Sequence, residues 1–140
     1  MALWGNSPTA RDVFVSQKRI VRAIFGLPVG TSCRSVFSNH KILTQCSLYI
    51  YGVCIFVFKN RRLYRTGEDI HSINTRSRAD LRPVARRLTL GQSSVDYIGL
   101  NIFNKLPMAI KESVTINAFK KSLRRYLAGR CIYTLDEYMS

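Results

Sequence analysis

Residues 10–26 are the first stretch of the chain in which apolar and polar positions follow a helical period. Apolar residues there recur every three or four positions, the spacing that places side chains on one face of a helix. The predicted inner face is Val13, Gln17, Ile20, Val21 and Ile24, with Phe14 and Phe25 at its edge. Lys18, Arg19 and Arg22 fall on the opposite face. We expect Thr9 to cap this helix and Gly26 with Pro28 to end it.

The most apolar stretch of the chain is Gln45–Lys59. Its Ile, Val, Tyr and Phe residues favour strands, but its length favours a buried helix, which Thr44 can cap. The apolar core of this stretch, Leu48–Phe58, is eleven residues long and ends at charged or polar residues. A membrane-spanning helix needs about 20 apolar residues. The stretch is therefore predicted to be a buried element of a core.

The last clear helical pattern runs from about Thr115 to Ala128, with Thr115 as N-cap and Gly129 just past the end. The apolar positions Ile116, Phe119, Leu123, Tyr126 and Leu127 share one face. The cations Lys120, Lys121, Arg124 and Arg125 share the other. The helix is therefore predicted to bury one side and to present a cationic surface on the other.

Between these helices the pattern is weaker. Cys33–His40 predicts a short helix and Met108–Glu112 a helical turn, whereas Val95–Phe103 only alternates loosely. Residues 59–94 are rich in arginine and poor in apolar residues, which predicts a loop-rich segment with at most short strands near Leu63–Tyr64 and Arg87–Leu90. The fold class expected is mainly α: one small helical domain over residues 1–140, with a basic, loop-rich middle segment at 59–94.

Charge changes the functional picture. Lys and Arg total 22 against 8 Asp and Glu, a formal net charge of +14. Such an excess most often serves a polyanionic partner. Arginine forks match phosphate oxygens, and Tyr or His can stack on unpaired bases. The predicted nucleic-acid-binding residues are Lys18, Arg19, Arg22, Arg61, Arg62, Arg76, Arg78, Lys120, Lys121, Arg124 and Arg125; the alternative is that these charges only form solvated faces.

Catalytic and metal-binding motifs do not emerge from the sequence. Cys33 and His40 are seven residues apart, Cys46 and Cys54 eight, and neither spacing fits a zinc site. Small apolar core residues are the better account of Cys46 and Cys54. Phosphate-binding glycine motifs and a paired set of carboxylates are not recognisable either. We therefore expect no catalytic residue, no metal, no cofactor and no small-molecule substrate in this chain.

The expected compartment follows from the N-terminus. Residues 1–12 have no basic flank followed by an apolar run, so a secretory signal is not predicted. Without a secretory route the four cysteines are expected to be reduced thiols. The protein is predicted to be intracellular and not secreted, with nucleus and cytoplasm both open.

The order of short motifs along the chain resembles the segment that follows the polymerase core in jockey-type non-LTR retrotransposon reverse transcriptases. The matching landmarks are Leu3-Trp4-Gly5, Val13–Phe25, Ser32-Cys33-Arg34, Ile42-Leu43-Thr44, Ser47–Tyr51, Asn74-Thr75-Arg76, Tyr97-Ile98-Gly99, Phe103–Pro107 and Phe119–Leu123. The resemblance implies the C-terminal piece of an RNA-directed DNA polymerase. The family's paired metal-binding aspartates have no counterpart here, so Mg²⁺ belongs only to the resembled full-length polymerase and the chain alone is predicted to be inactive.

The expected function is sequence-tolerant binding of RNA or DNA in support of a reverse transcriptase. The alternatives are a protein-interaction module that docks on the polymerase core or on a second copy, and a decayed element fragment without function. Salt distinguishes the first two, because phosphate contacts weaken steeply with ionic strength whereas apolar docking does not.

Overall fold

Helix α3 (Gln45–Asn60) is the element on which the other long helices pack. The computed structural model of the chain describes residues 7–66, 80–82 and 95–140. The described helices, numbered in chain order, are α1 (Ala10–Ile24), α2 (Arg34–Asn39), α3, α4 (Val95–Asn104), α5 (Met108–Lys111), α6 (Ile116–Arg130) and α7 (Leu135–Met139). A 3₁₀ turn (Arg61–Leu63) follows α3, and strands β1 (Arg65–Thr66) and β2 (Leu81–Arg82) pair with each other. The mainly α fold class is confirmed, as are the three long helices.

Helix α3 begins at a buried cap, as predicted. Thr44 is in the extended region and its Oγ1 accepts a hydrogen bond from the backbone N–H of Ser47 at 3.1 Å. The Thr44 hydroxyl also donates to the carbonyl of Ile132, which ties the start of α3 to the end of α6. Ile50, Val53, Cys54 and Val57 are fully buried along the helix. Within the described ranges, no helix combines the length and the apolar character needed to cross a membrane.

Helix α6 lies antiparallel to α3. Its first turn is next to the end of α3, where Phe119 stacks on Phe58, and Ile132, two residues past its end, accepts a hydrogen bond from Thr44 at the start of α3. The predicted cap is confirmed, because the Thr115 hydroxyl accepts from the N–H of Ala118 at 3.2 Å. The predicted end at Gly129 is wrong. The helix continues to Arg130, and Cys131 takes the left-handed conformation that ends it.

Helix α4 packs on α3. The sequence does not predict this helix, because the apolar residues of Val95–Phe103 alternate loosely and show no clear helical period. Gly99 lies so close to Val53 and Val57 that the two helices approach through it. Asn104, at the end of α4, bonds both the N–H and the carbonyl of Leu81 in β2, at 3.0 and 2.8 Å.

The strands are displaced from their predicted positions. Arg65 pairs with Arg82 and Thr66 with Leu81 in an antiparallel register, two residues beyond the predicted strand at Leu63–Tyr64. The second predicted strand, Arg87–Leu90, lies outside the described residues, as does most of the segment predicted to be loop-rich. Short strands such as these are specified mainly by their tertiary partners, which a local pattern does not record.

Helix α1 buries only part of its predicted inner face, namely Val21 and Gln17, together with the predicted edge residues Phe14 and Phe25. Phe14, Val21 and Phe25 turn inward, where Val21 joins a small second cluster with Cys33, Phe37 and Cys131. Gln17 is part-buried and bridges to the start of α3: its amide donates to the Leu43 carbonyl at 2.9 Å and accepts from the Gln45 N–H at 2.8 Å.

Three side chains of the predicted inner face of α1 are exposed instead, namely Val13 (44%), Ile20 (59%) and Ile24 (71%). They follow one another at seven- and four-residue spacing, so they form a single row along the helix. The predicted cap is also wrong, because Thr9 makes no side-chain capping bond and its hydroxyl pairs with that of Ser7 at 2.7 Å.

Candidate nucleic-acid interface

The outer face of α6 presents the densest group of predicted binding residues. Lys121, Arg124 and Arg125 are exposed, and Lys120 is half-buried beside the core. On the inner side Phe119, Leu123 and Leu127 are fully buried, so the helix cannot rotate without breaking the core. Three of the four cations are thereby held on the solvent side of the helix, as its period predicts, and Lys120 lies at the edge of that side.

Carboxylates do not neutralise this face in the described ranges. The ion pairs found there are Arg34 with Glu137, at 2.7 Å, and Lys111 with Asp80, at 3.2 Å. Neither includes a predicted binding residue. No carboxylate of the described residues therefore occupies the N–H donors of the α6 cations.

Arg61 and Arg62 lie immediately after the end of α3. Arg62 is exposed, whereas Arg61 is half-buried with its guanidinium carbon 4.4 Å from the centre of the Phe58 ring. Phe58 in turn stacks on Phe119, with ring centres 4.1 Å apart and planes at 17°. This stack joins Arg61 to the buried inner face of helix α6, whereas the α6 cations lie on the outer face of that helix.

The cations of α1 lie elsewhere. Lys18 is half-buried, with its ammonium 4.7 Å from the centre of the Phe14 ring, and it lines a groove of about 750 Å³ between α1 and the C-terminal segment. Arg22 is half-buried and donates from Nε to the Thr31 carbonyl at 3.0 Å, which braces the turn after α1. Of the three predicted residues on α1, only Arg19 is exposed and makes no such contact within the described ranges.

The cations of α1 and the pair Arg61 and Arg62 lie at opposite ends of α3. Helix α1 bonds to the start of α3 through Gln17, whereas Arg61 is at its end. A helix of this length spans roughly 24 Å. The α1 cations therefore do not share a surface patch with Arg61. Arg76 and Arg78 lie outside the described residues.

Sequence reasoning missed one structural cation, Arg34. Its Nη1 lies 2.7 Å from Oε1 of Glu137, and its guanidinium lies 4.2 Å from the centre of the Tyr133 ring. The hydrogen bond from Arg34 and the backbone N–H of Tyr133 lower the pKa of the Glu137 carboxyl. This clamp fastens α7 to α2. Its partners are 103 positions apart, so no local pattern could reveal them.

The cysteines behave as core residues. All four thiols are buried, and burial raises the pKa of Cys46 to about 12. The interpretation of Cys46 and Cys54 as small apolar core residues is confirmed, since both belong to the main core around α3. Across residues 7–66, 80–82 and 95–140, no group of three or more His, Cys, Asp or Glu side chains is placed to hold a metal ion.

Comparison with known proteins does not assign the chain. It matches no protein-family description, no curated protein and no solved structure.

Proposed function

We propose that this chain binds RNA or DNA through the phosphate backbone, tolerant of sequence and without catalysis of its own, as the C-terminal part of an intracellular reverse transcriptase of the non-LTR retrotransposon type. The observation that supports the proposal most directly is the outer face of α6. Its four cations stand on a helix fixed by a buried inner face, and no carboxylate of the described residues pairs with them.

Backbone contacts suit these residues chemically. Lysine ammonium and arginine guanidinium groups are donors without acceptor capacity, so they match phosphate oxygens, which are acceptors along the whole backbone whatever the sequence. Binding of this kind releases counterions and depends steeply on salt. A chain with net charge +14 also attracts a polyanion from a distance at low ionic strength.

A salt titration tests the proposal. Fluorescence anisotropy with a labelled single-stranded RNA and a DNA duplex of equal length gives the dissociation constant at each salt concentration. In the test variant Lys120, Lys121, Arg124 and Arg125 are all changed to Gln. Its binding should weaken for every sequence, and its log–log salt slope should flatten by up to about 3, since each lost phosphate contact removes about 0.7.

The matched control removes the same amount of charge from scattered exposed sites. It combines Arg11→Gln, Arg82→Gln and Lys105→Gln with Lys41→Asn, because Lys41 has a φ of 53° and Asn tolerates that backbone. Both variants have a net charge lowered by four. Equal loss of affinity in the two would show that only net charge matters and would contradict an interface on α6.

A second candidate function is docking on the polymerase core, and the exposed apolar row of α1 favours it. Val13, Ile20 and Ile24 lie along about three turns of helix and make no contribution to the described core. The large net positive charge disfavours a second copy as the occupant. If the chain binds neither nucleic acid in a salt-dependent way, while Ile20→Ser abolishes association with the polymerase core, docking is the correct function.

A further inference from the structure

The end of α3 presents one arginine whose guanidinium is held in place by an aromatic stack. Arg61 lies 4.4 Å above the Phe58 ring, and Phe58 lies 4.1 Å from Phe119. At these distances the guanidinium and the Phe119 ring cannot occupy the same side of Phe58. Phe58 is therefore covered on both faces, by Phe119 inside and by Arg61 outside.

The two rings have no freedom to follow a moving arginine. Phe119 is fully buried and Phe58 nearly so, and Phe103 approaches Phe119 with ring centres 5.9 Å apart. The backbone is also fixed at this point, because Asn60 bonds the Phe56 carbonyl at 2.8 Å and a 3₁₀ turn begins at Arg61. The platform under Arg61 is thus part of the core.

Stacking leaves the edge of a guanidinium free. The N–H donors of arginine lie in the plane of the group and point outward from its rim, so a ring below the plane does not consume them. For Arg34 the same arrangement is completed by the Glu137 carboxylate. For Arg61 no carboxylate of the described residues fills that position.

We propose that Arg61, pre-oriented by the stack on Phe58, is the anchoring phosphate contact of this chain, and that Phe58 is its positioning residue. The inference rests on the proposed function and identifies which cation matters most. Because the guanidinium of Arg61 is already oriented, its side chain loses less conformational freedom on binding two phosphate oxygens than the side chain of a mobile surface cation would lose. Lysine cannot replace it, since an ammonium neither stacks as a plane nor binds as a fork.

The test compares Arg61→Lys with Arg65→Lys, a matched change at an exposed arginine four positions on. Both variants keep the net charge, so a purely electrostatic role predicts no difference. We expect Arg61→Lys to weaken binding of single-stranded RNA or duplex DNA about five- to tenfold, with an unchanged Tm, whereas Arg65→Lys should change it less than about twofold. Arg61→Gln should weaken binding further and reduce the log–log salt slope by the contribution of about one phosphate contact.

Phe58→Leu tests the positioning role. It keeps an apolar side chain of similar size but removes the ring, so it should weaken binding as Arg61→Lys does. In the double variant Phe58→Leu with Arg61→Lys the losses should not add, because both changes abolish the same oriented contact. Should Phe58→Leu fail to fold, Arg61→Lys alone decides, since it keeps the charge and leaves both buried rings unchanged.

The outcomes separate the two proposals. If the unaltered chain binds nucleic acid with salt dependence but Arg61→Lys binds as tightly, the anchoring role is wrong and the proposed function stands. Equal losses for Arg61→Lys and Arg65→Lys would also contradict the anchoring role. If the unaltered chain shows no salt-dependent binding to either nucleic acid, both proposals fail together.

Discussion

A single methyl group added at Gly99 tests whether α3 and α4 pack as described. A Cβ there would lie 2.9 Å from Cγ1 of Val53 and 3.2 Å from Cγ2 of Val57. Both valines are fully buried, and β-branched side chains in a helix have essentially one rotamer, so neither can turn away. The helices must move apart, which typically costs about 1–3 kcal/mol.

An opposing contribution comes from the helix itself. Glycine within a helix is about 0.5–1 kcal/mol less favourable than alanine. Subtracting the mid-range values leaves a net loss of about 1 kcal/mol for Gly99→Ala, or a Tm lower by about 3 °C in a chain of this size. Gly129→Ala is the matched control, because Gly129 is also helical but has nothing within 4 Å of an added Cβ. That change should raise the Tm by about 2 °C through helix propensity alone.

Thermal melting followed by circular dichroism, with a urea titration to confirm the free energy of unfolding, measures both variants. Opposite signs for the two glycines support a tight α3–α4 contact. If Gly99→Ala is as stable as the unaltered chain, or stabilises it as Gly129→Ala does, the two helices do not approach through Gly99 and the packing described for α4 is incorrect.

Three further predictions follow from the core and the C-terminal clamp. Phe119→Ala should cost about 3–5 kcal/mol in urea titration, and Phe56→Ala, the same change at a side chain 41% exposed, less than about half of that; equal costs would contradict the stack. Native chain should resist thiol alkylation at mildly alkaline pH until denatured, as mass spectrometry would show, because all four cysteines are buried; rapid labelling of the native chain would refute this. The lowered pKa of Glu137 stabilises the folded chain fully above the ordinary pKa of 4.5, and this stabilisation disappears as pH falls through the lower pKa of the folded state, so Glu137→Gln should reduce the fall of Tm at acidic pH. An unchanged fall of Tm would exclude the contact with Arg34.

The long helices were predictable because their signals are local. Helices α3 and α6 each have a threonine cap and a sustained apolar pattern, and both caps bond as expected. Helix α4 has only a loosely alternating pattern, and α7, although Thr134 caps it, is only five residues long. They are held by partners far along the chain, as where the Tyr138 hydroxyl of α7 donates to the Ile102 carbonyl of α4 at 2.9 Å. Sequence periodicity contains no record of such a pairing.

The inner face of α1 is predicted only in part, and the reason is physical. Its sequence offers two overlapping apolar arcs, one with Val13, Ile20 and Ile24 and one with Phe14, Val21 and Phe25. The structure buries the second arc because Phe14 meets the edge of Tyr133, with ring centres 4.8 Å apart. Hydrophobicity alone ranks the two arcs alike, and only the tertiary partner decides between them.

The candidate site likewise has one part that the sequence predicts and one part that depends on tertiary contacts. Exposure of the α6 cations follows from helical period, whereas the neighbourhood of Arg61 depends on Phe58 meeting Phe119 across 61 positions of chain. Two arginines that look alike in sequence thereby acquire different surroundings. Arg34 stacks on Tyr133 and its fork is closed by Glu137, so it holds the C-terminal segment in place. Arg61 lies over Phe58, no carboxylate of the described residues pairs with its guanidinium, and that unfilled edge is the physical basis for the proposed phosphate contact.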